Sequence, residues 1–231
     1  MTIRHELHLA YVLHSRPYRE TSLLLEMLSL EQGRITLVAR GAKRGKLKTS
    51  NILQLFAPLA VSWYGNGDLV TLTNIEPAGV AHSLQATRAI CGMYINELLV
   101  KLIHKWDPCA QLFSAYQQVL NNLALLDVPA QISLRRFEKQ LLTAMGYGLQ
   151  LTKEITTGDT VKPELYYLFD PVLGPRLVNS SCVGAIKGQS LIALHQDAYE
   201  VPEILLDIKQ LMRLVFNYHL GARPVMARQL L

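Results

Sequence analysis

The sequence predicts an α+β chain: a small N-terminal five-stranded β-barrel followed by a mainly α-helical domain. Three observations carry this. Short apolar runs, several alternating with period two, fill residues 8 to 76. The strongest short-range hairpin signal, Asn66-Gly67, lies between two of them. After Pro77 the apolar spacing changes to that of helices.

The strand candidates are His8 to His14, Ser22 to Leu30, Arg34 to Arg40, Leu59 to Tyr64 and Leu69 to Ile75. In the third, Ile35, Leu37 and Ala39 share one face, and Arg34, Thr36, Val38 and Arg40 share the other, so the arginines are expected on the outside. Five short strands in about 70 residues close most economically into a barrel, which removes exposed edges. Alternation sends one of Trp63 and Tyr64 inward as core and leaves the other to stack on a base. The helical stretches expected next are 83 to 104, about 108 to 126, 127 to 145, 188 to 196 and 202 to 220. The third has Pro129 in its first turn and stops at Gly146-Tyr147-Gly148. Between 148 and 181 periodicity is lost, apart from a hairpin expected around Tyr166 to Val178. The division is therefore 1–80 for the barrel and 81–231 for the helical domain, with an irregular or hairpin insertion near 150–180.

Composition narrows the function classes. The 231 residues are 50% hydrophobic, with 23 Lys and Arg against 18 Asp and Glu. Cys91, Cys109 and Cys182 are too far apart for a CxxC site or a disulfide framework, which points to a reducing, cytoplasmic setting. No apolar run of membrane-spanning length occurs.

The net charge of +5 is unevenly spread. From Gln32 to Gly67 there is no carboxylate, yet Arg34, Arg40, Lys43, Arg44, Lys46 and Lys48 all lie there. A basic loop beside a small barrel is the electrostatic footprint of a nucleic-acid backbone site, although a solvated surface run has the same composition. Gly41-Ala42-Lys43-Arg44-Gly45-Lys46-Leu47 is not a phosphate loop, because it is one residue short and puts Leu47 where Mg²⁺ needs a hydroxyl. His5-Glu6-Leu7-His8 spaces its histidines three apart in an N-terminus expected to fray, so it is no zinc helix. No nucleophile or carboxylate-pair motif stands out, which leaves a binding protein, not an enzyme, with no metal or cofactor. Nuclease chemistry would need metal-binding carboxylates, and the barrel has few, mainly Glu20, Glu26, Asp68 and Glu76.

In the third helix Arg135 and Lys139 share a face at i, i+4 and are candidates for a carboxylate or phosphate clamp, against the alternative of a solvated face. Asn96-Glu97 sits inside the apolar run Tyr94 to Val100 and reads as a structural hydrogen-bond network. Arg223 and Arg228 close the chain with no acid after Asp207, either as further phosphate contacts or as an exposed tail.

Several segments together resemble the RecO family of bacterial DNA repair and recombination mediators. They are Val12-Leu13-His14-Ser15-Arg16-Pro17-Tyr18 with Glu20-Thr21-Ser22, Gly33-Arg34 to Gly41-Ala42, Tyr94-Ile95-Asn96-Glu97-Leu98-Leu99, Leu134-Arg135-Arg136-Phe137-Glu138 and Gly146-Tyr147-Gly148. The resemblance spans nearly the whole chain. It implies an OB-fold barrel and a cytoplasmic, nucleoid-associated protein that binds single- and double-stranded DNA and anneals complementary strands. It further implies that, with RecR, the protein promotes RecA loading onto strands coated by single-stranded-DNA-binding protein. It also implies that the C-terminal tail of single-stranded-DNA-binding protein docks on the helical domain with its carboxylate near Arg135. Some relatives hold zinc with four cysteines after the Gly-Tyr-Gly stretch; here only Cys182 lies in that region, so no zinc is expected. The competing reading is a protein–protein adaptor that does not touch DNA.

Overall fold

The computed structural model describes residues 4–42, 52–199 and 201–230. Lys43, Arg44, Lys46 and Lys48 of the basic run lie outside the described residues.

Five strands close into a barrel because each presents an apolar face to one core. They are β1 (Arg4–Tyr18), β2 (Ser22–Ser29), β3 (Gly33–Ala39), β4 (Pro58–Tyr64) and β5 (Val70–Pro77), in the closed order β1-β2-β3-β5-β4. This is the Greek-key barrel of the OB-fold, as expected. Closure depends on β1, which at 15 residues is long enough to pair with β4 through its first half and β2 through its second. Register shifts after His5 and Val12 bend it between the two partners. A short parallel contact of β3 with β5, Leu37 opposite Val70, completes the ring. Val12, Leu25, Met27, Ile35, Leu37, Leu59, Val61 and Trp63 fill it. Trp63 is therefore the inward aromatic, and Tyr64 is half-buried. Among the described residues the N-terminal segment is strand from Arg4 onward, and His8 Nδ1 is hydrogen-bonded to the Glu31 carboxylate.

The β4–β5 hairpin is present, but its turn is not the two-residue Asn-Gly type. Tyr64 pairs with Thr71, and positive φ is taken by Gly65 and Gly67, with Asn66 not among the left-handed residues. Two glycines flanking Asn66 make a longer loop the less strained path.

Contacts divide the chain into two units, Met1–Leu126 with Val225–Leu231, and Asp127–Pro224. Residues 81–126, which the sequence assigns to the helical domain, fall by contacts in the same unit as the barrel. The reason is burial: α1 (Thr87–Leu102) packs on β1, and α2 (Ala110–Ala124) brings Phe113 and Tyr116 against Tyr11 of β1. Asn96 locks the three together, its Nδ2 donating to Leu13 O at 3.0 Å and its Oδ1 accepting from Tyr116 Oη at 2.7 Å. Burial pushes the Tyr116 phenol well above its usual pKa, so it stays a donor. Glu97 accepts from the backbone N–H groups of Met226 and Ala227, both at 2.9 Å, and pairs with Lys101 at 3.0 Å. Burial works to raise its pKa, but these partners outweigh that and lower it. The polar pair is structural, as expected. It fastens the terminal 3₁₀ turn (Ala227–Leu230), where Arg228 lies over the Tyr94 ring at 5.7 Å.

The second unit holds α3 (Ala130–Ala144), the sheet β7-β6-β8 (Gly174–Val178, Tyr166–Asp170, Ile186–Lys187), α4 (Gly188–Gln196) and α5 (Pro202–Leu220). Pro129 is the N-cap of α3, not a first-turn residue, since its ψ of 129° is extended. Phe137, Leu141, Leu191, Leu194, Met212, Val215 and Phe216 are buried where α5 packs on α3 and α4. Among the described residues no helix is long and apolar enough to cross a membrane.

The loop before β6 is organised by one carboxylate. Glu154, buried, accepts from the N–H groups of Thr157, Thr156 and Leu177 and from the Thr157 hydroxyl. These bonds, the Thr157 N–H foremost, hold its pKa down to about 2 against a usual 4.5. A carboxyl depressed on folding contributes stability that is present above about pH 4.5 and lost as pH falls toward 2. In urea titrations Glu154→Gln is expected to be less stable than the native chain at pH 7, and the gap should close between pH 5 and 2. A gap independent of pH would contradict the assignment.

Candidate nucleic-acid interface

The basic run begins where β3 leaves the barrel, and Arg40 follows its last residue with an exposed side chain. Arg34, at the other end of the strand, has a different environment. Glu26 of β2 pairs with Thr36, so Arg34, two residues earlier, reaches it diagonally on the same face. Arg34 Nη1 donates to Glu26 Oε2 at 2.9 Å, its Nε donates to Ile103 O at 3.1 Å, and Thr36 Oγ1 also donates to Glu26. The side chains of Arg34 and Glu26 are only 15% and 17% exposed.

The expectation that all six cations lack local neutralisation is corrected here. The sequence interval has no carboxylate, but the neighbouring strand supplies one. The outer face of β3 is also not open to solvent near Arg34, because Trp106 N donates to Arg34 O and Gly33 lies against Asp107. A Cβ on Gly33 would meet Asp107 O at 2.2 Å, and its φ is +67°, so only glycine fits. Arg34→Ala is therefore expected to lower stability by about 1–3 kcal/mol, because Glu26 loses its charged partner in a half-dry setting. Its effect on DNA affinity should stay within about twofold. Urea denaturation and fluorescence anisotropy measure the two.

The second candidate site lies on α3, and the structure does not present it as an open clamp. Arg135 is buried and pairs through Nη1 with Glu138 at 2.9 Å, the Glu138 side chain being wholly buried. Its Nε is buried without a hydrogen-bond partner among the described residues. Lys139 uses its three donors on Leu194 O and His195 O, both at 2.8 Å, and Asp197 Oδ1 at 3.0 Å. The lysine thus caps the C-terminal carbonyls of α4, where a cation is favoured by the helix dipole. Arg136, beside them, lies over the Tyr199 ring at 5.8 Å.

Arg223 is exposed and donates to Leu220 O, while Arg228 packs in the first unit. Among the described residues no cluster of three metal-ligating side chains occurs.

Comparison with known proteins agrees with this architecture. Residues 5–80 match the family model described as recombination protein O N terminal, and residues 84–229 match the one described as recombination protein O C terminal. The DNA repair protein RecO of Methylococcus capsulatus is 42% identical over 221 residues, covering 96% of this chain and 90% of that protein. That of Nitrosospira multiformis is 41% identical over 231 residues, covering 99% and 95%. That of Coxiella burnetii is 40% identical over 232 residues, covering the whole of both chains. With both models matched in order and full-length relatives at this identity, the chain belongs to the RecO family of DNA repair proteins.

Proposed function

We propose that this chain is a non-catalytic DNA-binding recombination mediator, nucleoid-associated. It binds single- and double-stranded DNA, anneals complementary strands, and with RecR promotes RecA loading onto strands coated by single-stranded-DNA-binding protein. The observation that carries the reading is the OB-fold barrel whose third strand is followed by exposed Arg40 and, in the sequence, by Lys43, Arg44, Lys46 and Lys48. Cations on one short segment lower the repulsion between two phosphate backbones, which is what annealing requires. Binding is therefore sequence-independent and steeply salt-dependent.

For the tail of single-stranded-DNA-binding protein we assign Arg135 alone. A planar guanidinium can keep one nitrogen on Glu138 while Nε and a second nitrogen receive a terminal carboxylate. Lys139 is already committed to α4.

Strand annealing of complementary oligonucleotides, bare and coated, tests the function. The native chain is expected to accelerate both without nucleotide. No acceleration of either, with no binding to a labelled strand at 50 mM salt, would favour the adaptor reading.

A further inference from the structure

We infer that the second unit carries its own single-strand contact, an aromatic platform made by Tyr147 and Tyr218 around His219 on which unpaired bases stack. The inference deepens the DNA-binding reading and rests on it.

Two helix ends build the platform. At the end of α3, Gly146 takes φ +81°, its N–H bonds Thr143 O at 3.0 Å, and the Tyr147 N–H bonds Leu142 O at 2.8 Å. This pair of bonds is the Schellman arrangement, and it fixes the backbone of Tyr147. Tyr218 and His219 lie in the last turn of α5, which Gly221 closes with a bond to Asn217 O. The Tyr147 ring stacks on His219 with centroids 4.4 Å apart and planes 29° apart, and Tyr218 meets the same ring edge-on at 5.3 Å.

Both tyrosines remain on the surface, 51% and 58% exposed, and Leu214, one turn before Tyr218, is 45% exposed. Large aromatic rings held in place and left half in water are costly unless something covers them.

Charge selects the occupant. After Asp207 no carboxylate occurs in the rest of the chain, while Lys209, Arg213 and Arg223 stand before and after the two rings, Arg213 and Arg223 exposed. Exposed aromatic rings on a segment whose charges are all positive fit single-stranded nucleic acid, whose bases stack on any aromatic ring whatever the sequence. In a duplex the bases are already stacked on each other, so the platform discriminates in favour of single strands.

The test uses the full chain carrying Tyr147→Ala and Tyr218→Ala together, with Tyr147→Phe and Tyr218→Phe as the conservative pair. Anisotropy is read with labelled oligothymidylate, with the same strand made abasic, and with a duplex. The alanine pair is expected to lose about tenfold or more on oligothymidylate, to match the native chain on the abasic strand and duplex, and to melt within a few degrees of it. The phenylalanine pair should keep native affinity, since stacking needs the ring and not the hydroxyl. Equal oligothymidylate binding by native and alanine chains would overturn the platform alone, as would an equal loss on abasic strands. A native chain that bound no DNA would overturn the platform together with the reading beneath it. Loss of an acidic peptide with an apolar terminus, with DNA binding intact, would reassign the rings to a peptide.

Discussion

Replacing Arg40, Lys43, Arg44, Lys46 and Lys48 together with alanine is expected to reduce single-strand affinity by about three orders of magnitude at 0.1 M salt. The magnitude comes from counterion release: each phosphate neutralised on a single strand contributes about 0.7 to the slope of log K against log salt, so five cations carry about 3.5 of it. The slope is the more diagnostic readout. It should fall by that amount in the variant, while melting temperature and the far-ultraviolet spectrum stay native, because Arg40 is exposed and unpaired Lys and Arg are almost never core residues. A variant whose affinity fell with its salt slope unchanged would show that these cations act other than by meeting phosphate. Arg34 is left in place on purpose. Its charge is already offset by Glu26, and removing it would mix a stability loss into the measurement.

The contrast between Arg34 and Arg40 shows where a strand's alternation stops being informative. Ile35, Leu37 and Ala39 were readable as core because period two needs only the local sequence, and all three are buried in the barrel. The same pattern put Arg34 on the outer face correctly. What it could not show is that Glu26 faces it from a strand paired in a particular register, or that residues 103–107 return about 70 positions later to cover that end of β3. That residues 81–126 share contacts with the barrel was not legible for a related reason. The apolar spacing of α1 and α2 shows helices with buried faces but not the surface that buries them, and Tyr11 of the barrel is that surface. Tyr147 and Tyr218 were visible only as a helix stop and a late helix position. Their meeting at His219 depends on α3 and α5 ending side by side, which neither segment encodes by itself.

Glu138→Ala is expected to be the most destabilising single change on α3, by about 3–5 kcal/mol in urea denaturation, because it leaves the Arg135 guanidinium buried without its anion. The i, i+3 spacing would suggest an exposed helix pair worth about 0.2–0.5 kcal/mol. Burial changes the magnitude: water cannot take over solvation of a side chain that is 8% exposed when its partner disappears. The pair itself need not stabilise the fold. Arg135→Met with Glu138→Leu removes both charges and keeps the volume, so it is expected to lie within about 1.5 kcal/mol of the native chain or above it. The double variant therefore separates architecture from recognition. If Arg135 receives a partner's terminal carboxylate, the double variant folds as well as the native chain and loses the tail peptide by isothermal titration. If Arg135 serves only the packing of α3, the double variant folds and still binds the peptide. That second outcome would remove Arg135 from the partner site while leaving DNA binding by the barrel untouched.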